Sequence, residues 1–230
     1  MVVFVEPSRT FAPAGAPDGI VAVIDEPSIP LIESLMGDER TDVIVATGGT
    51  GVVRAAYSSG NPALGVGPGN VPVFVEAGAD IEAAARRIVD SKAFDNSVLC
   101  TNESVLIVEE SVAAALGSAL TRNGAHILAA DAADRLREYM FPGGTLNTEV
   151  VGRDAAWIAE RAGIRVTPKT RLLIAPFADV ITEESFTHEK LCPVKQSTEL
   201  RRVQEQLEWK RSRIERWIHE SYLSAARSFA

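Results

Sequence analysis

Apolar positions follow two periods along this chain, and the periods keep changing places. Short apolar or β-rich runs fall at residues 2–5, 20–24, 42–46, 71–75, 104–108 and 171–175, and each reads as a strand. Helical spacing fills much of the rest: residues 30–36, the stretch VVRAAYSSG up to Gly60, and residues 111–121, 135–141 and 155–162. Ile81, Ala84, Ala85, Ile88 and Val89 share one helical face, with Asp80 placed to cap it. Residues 11–19 are rich in Ala, Pro and Gly and read as a loop. Strands alternating with helices predict an α/β protein with a largely parallel sheet. No internal repeat or low-complexity tract interrupts the pattern.

Composition narrows the class. The 230 residues are 46% hydrophobic and 23% charged, as in a globular protein with a sizeable core. No apolar run approaches the roughly 18 residues of a membrane helix, so no transmembrane segment is expected. The start, MVVFVEPSR, lacks the basic region of a signal peptide. Two cysteines, Cys100 and Cys192, cannot build a disulfide framework, which points to a reducing, cytoplasmic setting. Net charge is −8, unevenly spread. Residues 1–194 hold 15 Lys and Arg against 26 Asp and Glu; residues 195–230 hold 8 against 5. An acidic body argues against nucleic-acid binding.

Two local features carry candidate chemistry. ATGGTGVV lies between a predicted strand and a predicted helix. Glycines there allow close backbone approach, and a helix N-terminus offers free N–H groups to a phosphate. A plain strand-to-helix turn explains the same residues. A second cluster, GVGPGN, precedes the 71–75 strand. Cys100 follows the turn-like stretch FDNSV and is a candidate nucleophile; a buried cysteine acting as a small hydrophobe is the alternative. Neither HxE nor CxxC occurs, so no metal site is expected.

Taken in order, the segments AGAPDGIVAVIDEPS, ATGGTGVVRAAYSSGNPALGVGPGNVPVFVEAGADIEAA, SKAFDNSVLCTNESVLIVEESV and FTHEKLCPV resemble the CoA-acylating aldehyde dehydrogenases. That group includes the aldehyde half of bifunctional aldehyde–alcohol dehydrogenases. The resemblance runs from about Ala14 to Val194, and several motifs in order are more specific than any one of them. It implies a partial aldehyde dehydrogenase fold, with a Rossmann-like NAD-binding part at residues 1–66 and a partial catalytic part at 67–194. Cys100 stands at the family's nucleophile. Thr47, Gly48, Gly49, Thr50 and Gly51 match its pyrophosphate loop. Glu189 matches the glutamate that holds the nicotinamide ribose, with a solvated surface carboxylate as the alternative. His188, beside it, is a candidate for proton transfer or a structural histidine. NAD is the implied cofactor, coenzyme A the co-substrate and a small aldehyde the substrate.

Val66 bears on the reaction type. Hydrolytic aldehyde dehydrogenases carry a glutamate base at this place, 34 residues before the cysteine. Valine accepts no proton and cannot activate water. A CoA thiol needs less help, so the resemblance favours acyl-CoA formation over acid formation.

Both ends depart from the family. Its members are roughly twice as long, and the expected truncation removes an oxyanion-hole asparagine. Such a donor is typically worth about a hundred- to a thousandfold in rate. From 195 to 230 the chain reads as an amphipathic basic helical tail, with Leu200, Leu207 and Ile214 at heptad spacing. A docking helix, a homo-oligomer contact, another protein partner, a membrane-surface segment and an unrelated tail all fit it. The alternatives to an acylating enzyme are an inactive fragment assembling through this tail and a non-acylating aldehyde dehydrogenase.

Overall fold

Side-chain caps start three of the helices. Ser28 accepts from the Leu31 amide ahead of α1 (Ile29–Met36), Asp80 accepts from Ala83 ahead of α3 (Ile81–Ala93), and Asp154 accepts from Trp157 ahead of α6 (Ala155–Arg161). Each satisfies an amide that the first turn leaves open. The remaining helices are α2 (Thr50–Ser58), α4 (Glu110–Arg122) and α5 (Ala130–Met140). The strands are β1 (Ile44–Thr47), β2 (Ala63–Val66), β3 (Val71–Val75), β4 (Glu103–Glu109), β5 (Ala125–Ile127), β6 (Leu172–Pro176) and β7 (Val194–Leu200). This computed structural model describes residues 15, 22–69, 71–177, 185–187 and 189–200. The expected 2–5 strand, most of the 11–19 loop, His188 and residues 201–230 of the tail lie outside the described residues.

The chain divides into two units, Met1–Gly67 and Pro68–Ala230. In the first, β1 pairs in parallel with β2. Met36, Ile44, Ala46 and Ala56 form its buried core. On the opposite face of the pair, among the described residues, register partners Val45 and Leu64 are 71% and 64% exposed. Gly65 is required where β2 passes α2, since a Cβ there would lie 2.7 Å from Val53 and 2.8 Å from Tyr57.

The second unit is a five-stranded parallel sheet in the order β3-β4-β7-β6-β5. β6 shows how it is covered, because alternate residues face opposite sides. Leu172 and Ile174 join a core with Ile88 and Val89 of α3 and Leu116 and Leu120 of α4. Leu173 and Ala175 join another with Leu136 and Met140 of α5 and Ile158 of α6. Helices thus lie on both faces, as an all-parallel sheet requires. Among the described residues no helix is long and apolar enough to cross a membrane.

Several expectations need correction. Residues 22–24 belong to no strand. Strands β2 and β5 did not emerge from the pattern; one carries a central glycine and the other is three residues long. α5 begins five residues earlier than its large apolar side chains suggest, because Ala132 and Ala133 are what it buries first. Most telling is β7. Residues 195–200, assigned to a helical tail, form the middle strand of the sheet. Its polar composition hid it: Lys195, Gln196 and Thr198 are all buried.

Among the described residues, both side-chain polar atoms of Gln196 are buried without a hydrogen-bond partner. An unsatisfied buried group costs about 1–3 kcal/mol. Replacing Gln196 by Met, of similar volume, should therefore raise unfolding free energy by about 1–2 kcal/mol, read as a higher urea midpoint at unchanged m-value.

Candidate functional site

The glycine loop joins β1 to α2. Gly48 takes a positive φ of 151° and donates to Val66 O at 3.1 Å. Gly49 is the N-cap of α2 and gives it no side-chain cap. Val52 and Val53 N both donate to Gly49 O, so the amides the first turn leaves open are those of Thr50 and Gly51. Beside Gly49 and Gly51 a Cβ would meet nothing within 4 Å. Thr47 through Gly51 are all exposed. The result is an uncapped, open helix start, able to receive the phosphates of a dinucleotide. Val66, at the end of β2, is 61% exposed.

Cys100 and Glu189 belong to the other unit. β4 and β7 are parallel neighbours, so the segments entering them arrive at the same end of the sheet. One segment, 94–102, carries Cys100; the other, 189–193, carries Glu189 and Cys192. The two cysteines differ sharply, Cys100 being exposed and Cys192 buried. Burial pushes the Cys192 thiol up to about 11, against the pull of Lys92 and Lys190. Glu189 is half-buried.

The approach to Cys100 is strained. Asp95, Asn96 and Ser97 have φ of 46°, 48° and 61°. Three consecutive residues with a Cβ in this left-handed region are unusual, at about 1–2 kcal/mol each. Polar side chains hold the turn: Asn96 Nδ2 donates to Gly152 O at 3.0 Å, and buried Asn102 donates to Phe94 O at 3.4 Å. The sequence signal was the Asp-Asn pair, which tolerates this backbone better than most residues.

Beneath the entry of β4 and β7 lies a buried polar cluster that sequence reasoning missed. Lys92 Nζ donates to Ser104 Oγ at 2.8 Å, Lys195 Nζ to Glu103 O at 3.1 Å, and Ser91 Oγ to Glu103 Oε2 at 2.5 Å. Lys190 Nζ donates to Phe186 O at 2.5 Å. Burial pulls the Lys195 ammonium down to about 7, opposed by Glu103 and helped by Lys92 and Lys190. It pulls Lys92 to about 8, opposed by Cys192, Glu103 and Glu189. No spacing along the sequence distinguishes these lysines from surface ones; only the pairing of β4 with β7 buries them together.

Two shallow clefts have none of these residues in their lining. One, of about 250 Å³, is lined by Arg135, Glu138, Tyr139, Arg161 and Ala162; the other, of about 240 Å³, by Glu33, Met36, Ala55, Ser58 and Ser59. Among the described residues no group of His, Cys, Asp and Glu could hold a metal ion.

Comparison with known proteins adds the following. The Aldehyde dehydrogenase family model matches residues 2–146. An aldehyde-alcohol dehydrogenase of Clostridium acetobutylicum is 44% identical over 181 residues, 79% of this chain and 21% of that protein. An acetylating aldehyde dehydrogenase from Geobacillus thermoglucosidasius superposes with a TM-score of 0.80 at 38% identity, over 86% of this chain and 44% of that one. A propionaldehyde dehydrogenase of Rhodopseudomonas palustris, solved with bound CoA and an acylated cysteine, gives 0.76 at 30% identity, over 87% and 46%. The chain spans about a fifth of the first relative and under half of these two solved chains.

The lysine cluster sets a pH dependence. Between pH 7 and 9 the unfolded chain keeps protons on Lys195 and Lys92 that the folded chain releases. Stability rises with pH wherever the unfolded state binds more protons, by up to about 1.4 kcal/mol per pH unit for each group. Cys192 acts in the opposite sense only above its ordinary value of 9.0. Urea unfolding should therefore show stability increasing from pH 7 to 9, with a shallower increase in Lys195→Met.

Proposed function

The chain belongs to the aldehyde dehydrogenase family, and on that premise we propose that it oxidises a short aldehyde to acyl-CoA through Cys100. The observation that carries this reading is the contrast between the two thiols. Cys100 is exposed at the end of a strained turn, whereas Cys192 is buried. Strain of this kind gathers where a side chain must be presented in one orientation.

The Cys100 thiolate attacks the aldehyde carbonyl carbon, and a thiohemiacetal forms on sulfur. NAD, when bound, supplies the hydride acceptor. The open helix start at Gly49 and Gly51 fits its pyrophosphate, with Thr47, Gly48 and Thr50 completing the loop. Glu189 would hold the nicotinamide ribose, and His188, adjacent in sequence, would assist proton transfer. Loss of hydride leaves Cys100 as a thioester. The thiol sulfur of CoA then attacks that carbonyl, the Cys100–acyl bond breaks, and the cysteine leaves as thiolate. Val66 offers no proton acceptor to activate water instead. The bound CoA and acylated cysteine of the Rhodopseudomonas palustris relative support the same sequence of bonds.

The test is NADH formation, followed by absorbance, with acetaldehyde, NAD and CoA. Turnover should require CoA and fall at least about a thousandfold in Cys100→Ala. Turnover that ignores CoA, or none from folded protein, would overturn the proposal.

A further inference from the structure

Gly152 has both faces of its backbone engaged. Its carbonyl accepts from Asn96 Nδ2 at 3.0 Å, in the turn that leads to Cys100. Its amide donates to Leu191 O at 3.0 Å, in the segment that follows Glu189. The backbone is specialised at all three points. Asn96 has φ 48°, Gly152 has φ 70° and Leu191 has φ 49°. A Cβ on Gly152 would come within 3.1 Å of Val98 Cγ1, so the glycine also lies close against the Cys100 turn. Such conformations persist only where the surroundings over-determine them.

These contacts do more than hold one turn. Segments 94–102 and 189–193 enter adjacent parallel strands, β4 and β7. The sheet brings them to one end, but it does not fix the irregular backbone ahead of each strand. Asn96, Gly152 and Leu191 form a cross-tie between the two. We propose that Asn96 is a positioning residue, whose carboxamide acts through Gly152 to hold the Cys100 turn in fixed relation to the Glu189 segment. This rests on the reading of Cys100 as nucleophile and Glu189 as a cofactor ligand. In that reading the tie aligns the sulfur with the bound cofactor. A misplacement of about 1 Å between reacting groups can cost about a hundredfold in rate.

A rival explanation is that Asn96 is present only because asparagine tolerates a left-handed backbone. Two variants separate the two. Asn96→Gly adopts φ 48° more readily but loses the donor; Asn96→Asp keeps the shape and also loses it. Both should lower CoA-dependent kcat by about 10- to 100-fold, with KM for aldehyde within about twofold. The melting temperature of Asn96→Gly should stay within a few degrees of the parent. Amide hydrogen exchange should quicken about tenfold at Gly152 as well as in the turn. Parental kcat in Asn96→Gly, or faster exchange confined to residues 95–98, overturns the proposal. If the parent chain shows no turnover, the functional reading fails by itself. Exchange at Gly152 then still decides the cross-tie.

Discussion

Strand β7 is what makes the larger unit one body. It is bonded to β4 on one side and β6 on the other, and each of those is bonded outward to one more strand. Remove β7 and two unconnected strand pairs remain. Yet the strand is built from unpromising material. Lys195 and Gln196 sit fully buried in the middle of the sheet, beside buried Thr198 and Ser104. The lysine keeps one partner, the carbonyl of Glu103 on the neighbouring strand. The glutamine side chain keeps none among the described residues. Backbone ladders on both sides and the flanking cores must therefore outweigh a desolvation cost that a fully apolar strand would not carry.

The same strand gathers the candidate chemistry. Parallel pairing aligns strand beginnings with strand beginnings, so the connections into β4 and β7 meet at one edge. Cys100, Glu189, the lysine cluster and Cys192 all lie on or next to those connections. The exposed cysteine occupies a turn held by side-chain hydrogen bonds. The buried one lies in a core among lysines, with its proton held tightly. Two identical side chains thus acquire opposite characters from the backbone on which they stand.

Much of this was readable from residue order, and the failures share a cause. Helices with a capped start and a broad apolar face were found at or near their true bounds, α3 with its Asp80 cap among them. β4, whose central run from Val105 to Val108 is apolar, was also visible. β7 was not, because periodicity reports only apolar content, and here the middle of the sheet is polar. β2 was hidden by Gly65, whose missing side chain is a packing requirement imposed by Val53 and Tyr57. At the candidate site the cysteine and the glycine loop were singled out from local sequence, and the glutamate only through the family resemblance. Gly152 and Leu191 were not, since what matters there is a backbone angle and a partner brought close only by folding. FDNSV was recognised as a turn, but its partner lies 56 residues further along.

The glycine loop stands on the lesser of the two foundations. Among the described residues its unit holds a small core, Met36, Ile44, Ala46 and Ala56, and one strand pair, with Val45 and Leu64 exposed. A core of that size belongs to the low end of local stability. Local unfolding there abolishes the loop as a receptor, so binding is discounted by the fraction of time the unit is closed. By linkage, a ligand seated on the loop tightens the unit in the same proportion. Recognition and local folding at this loop are one equilibrium.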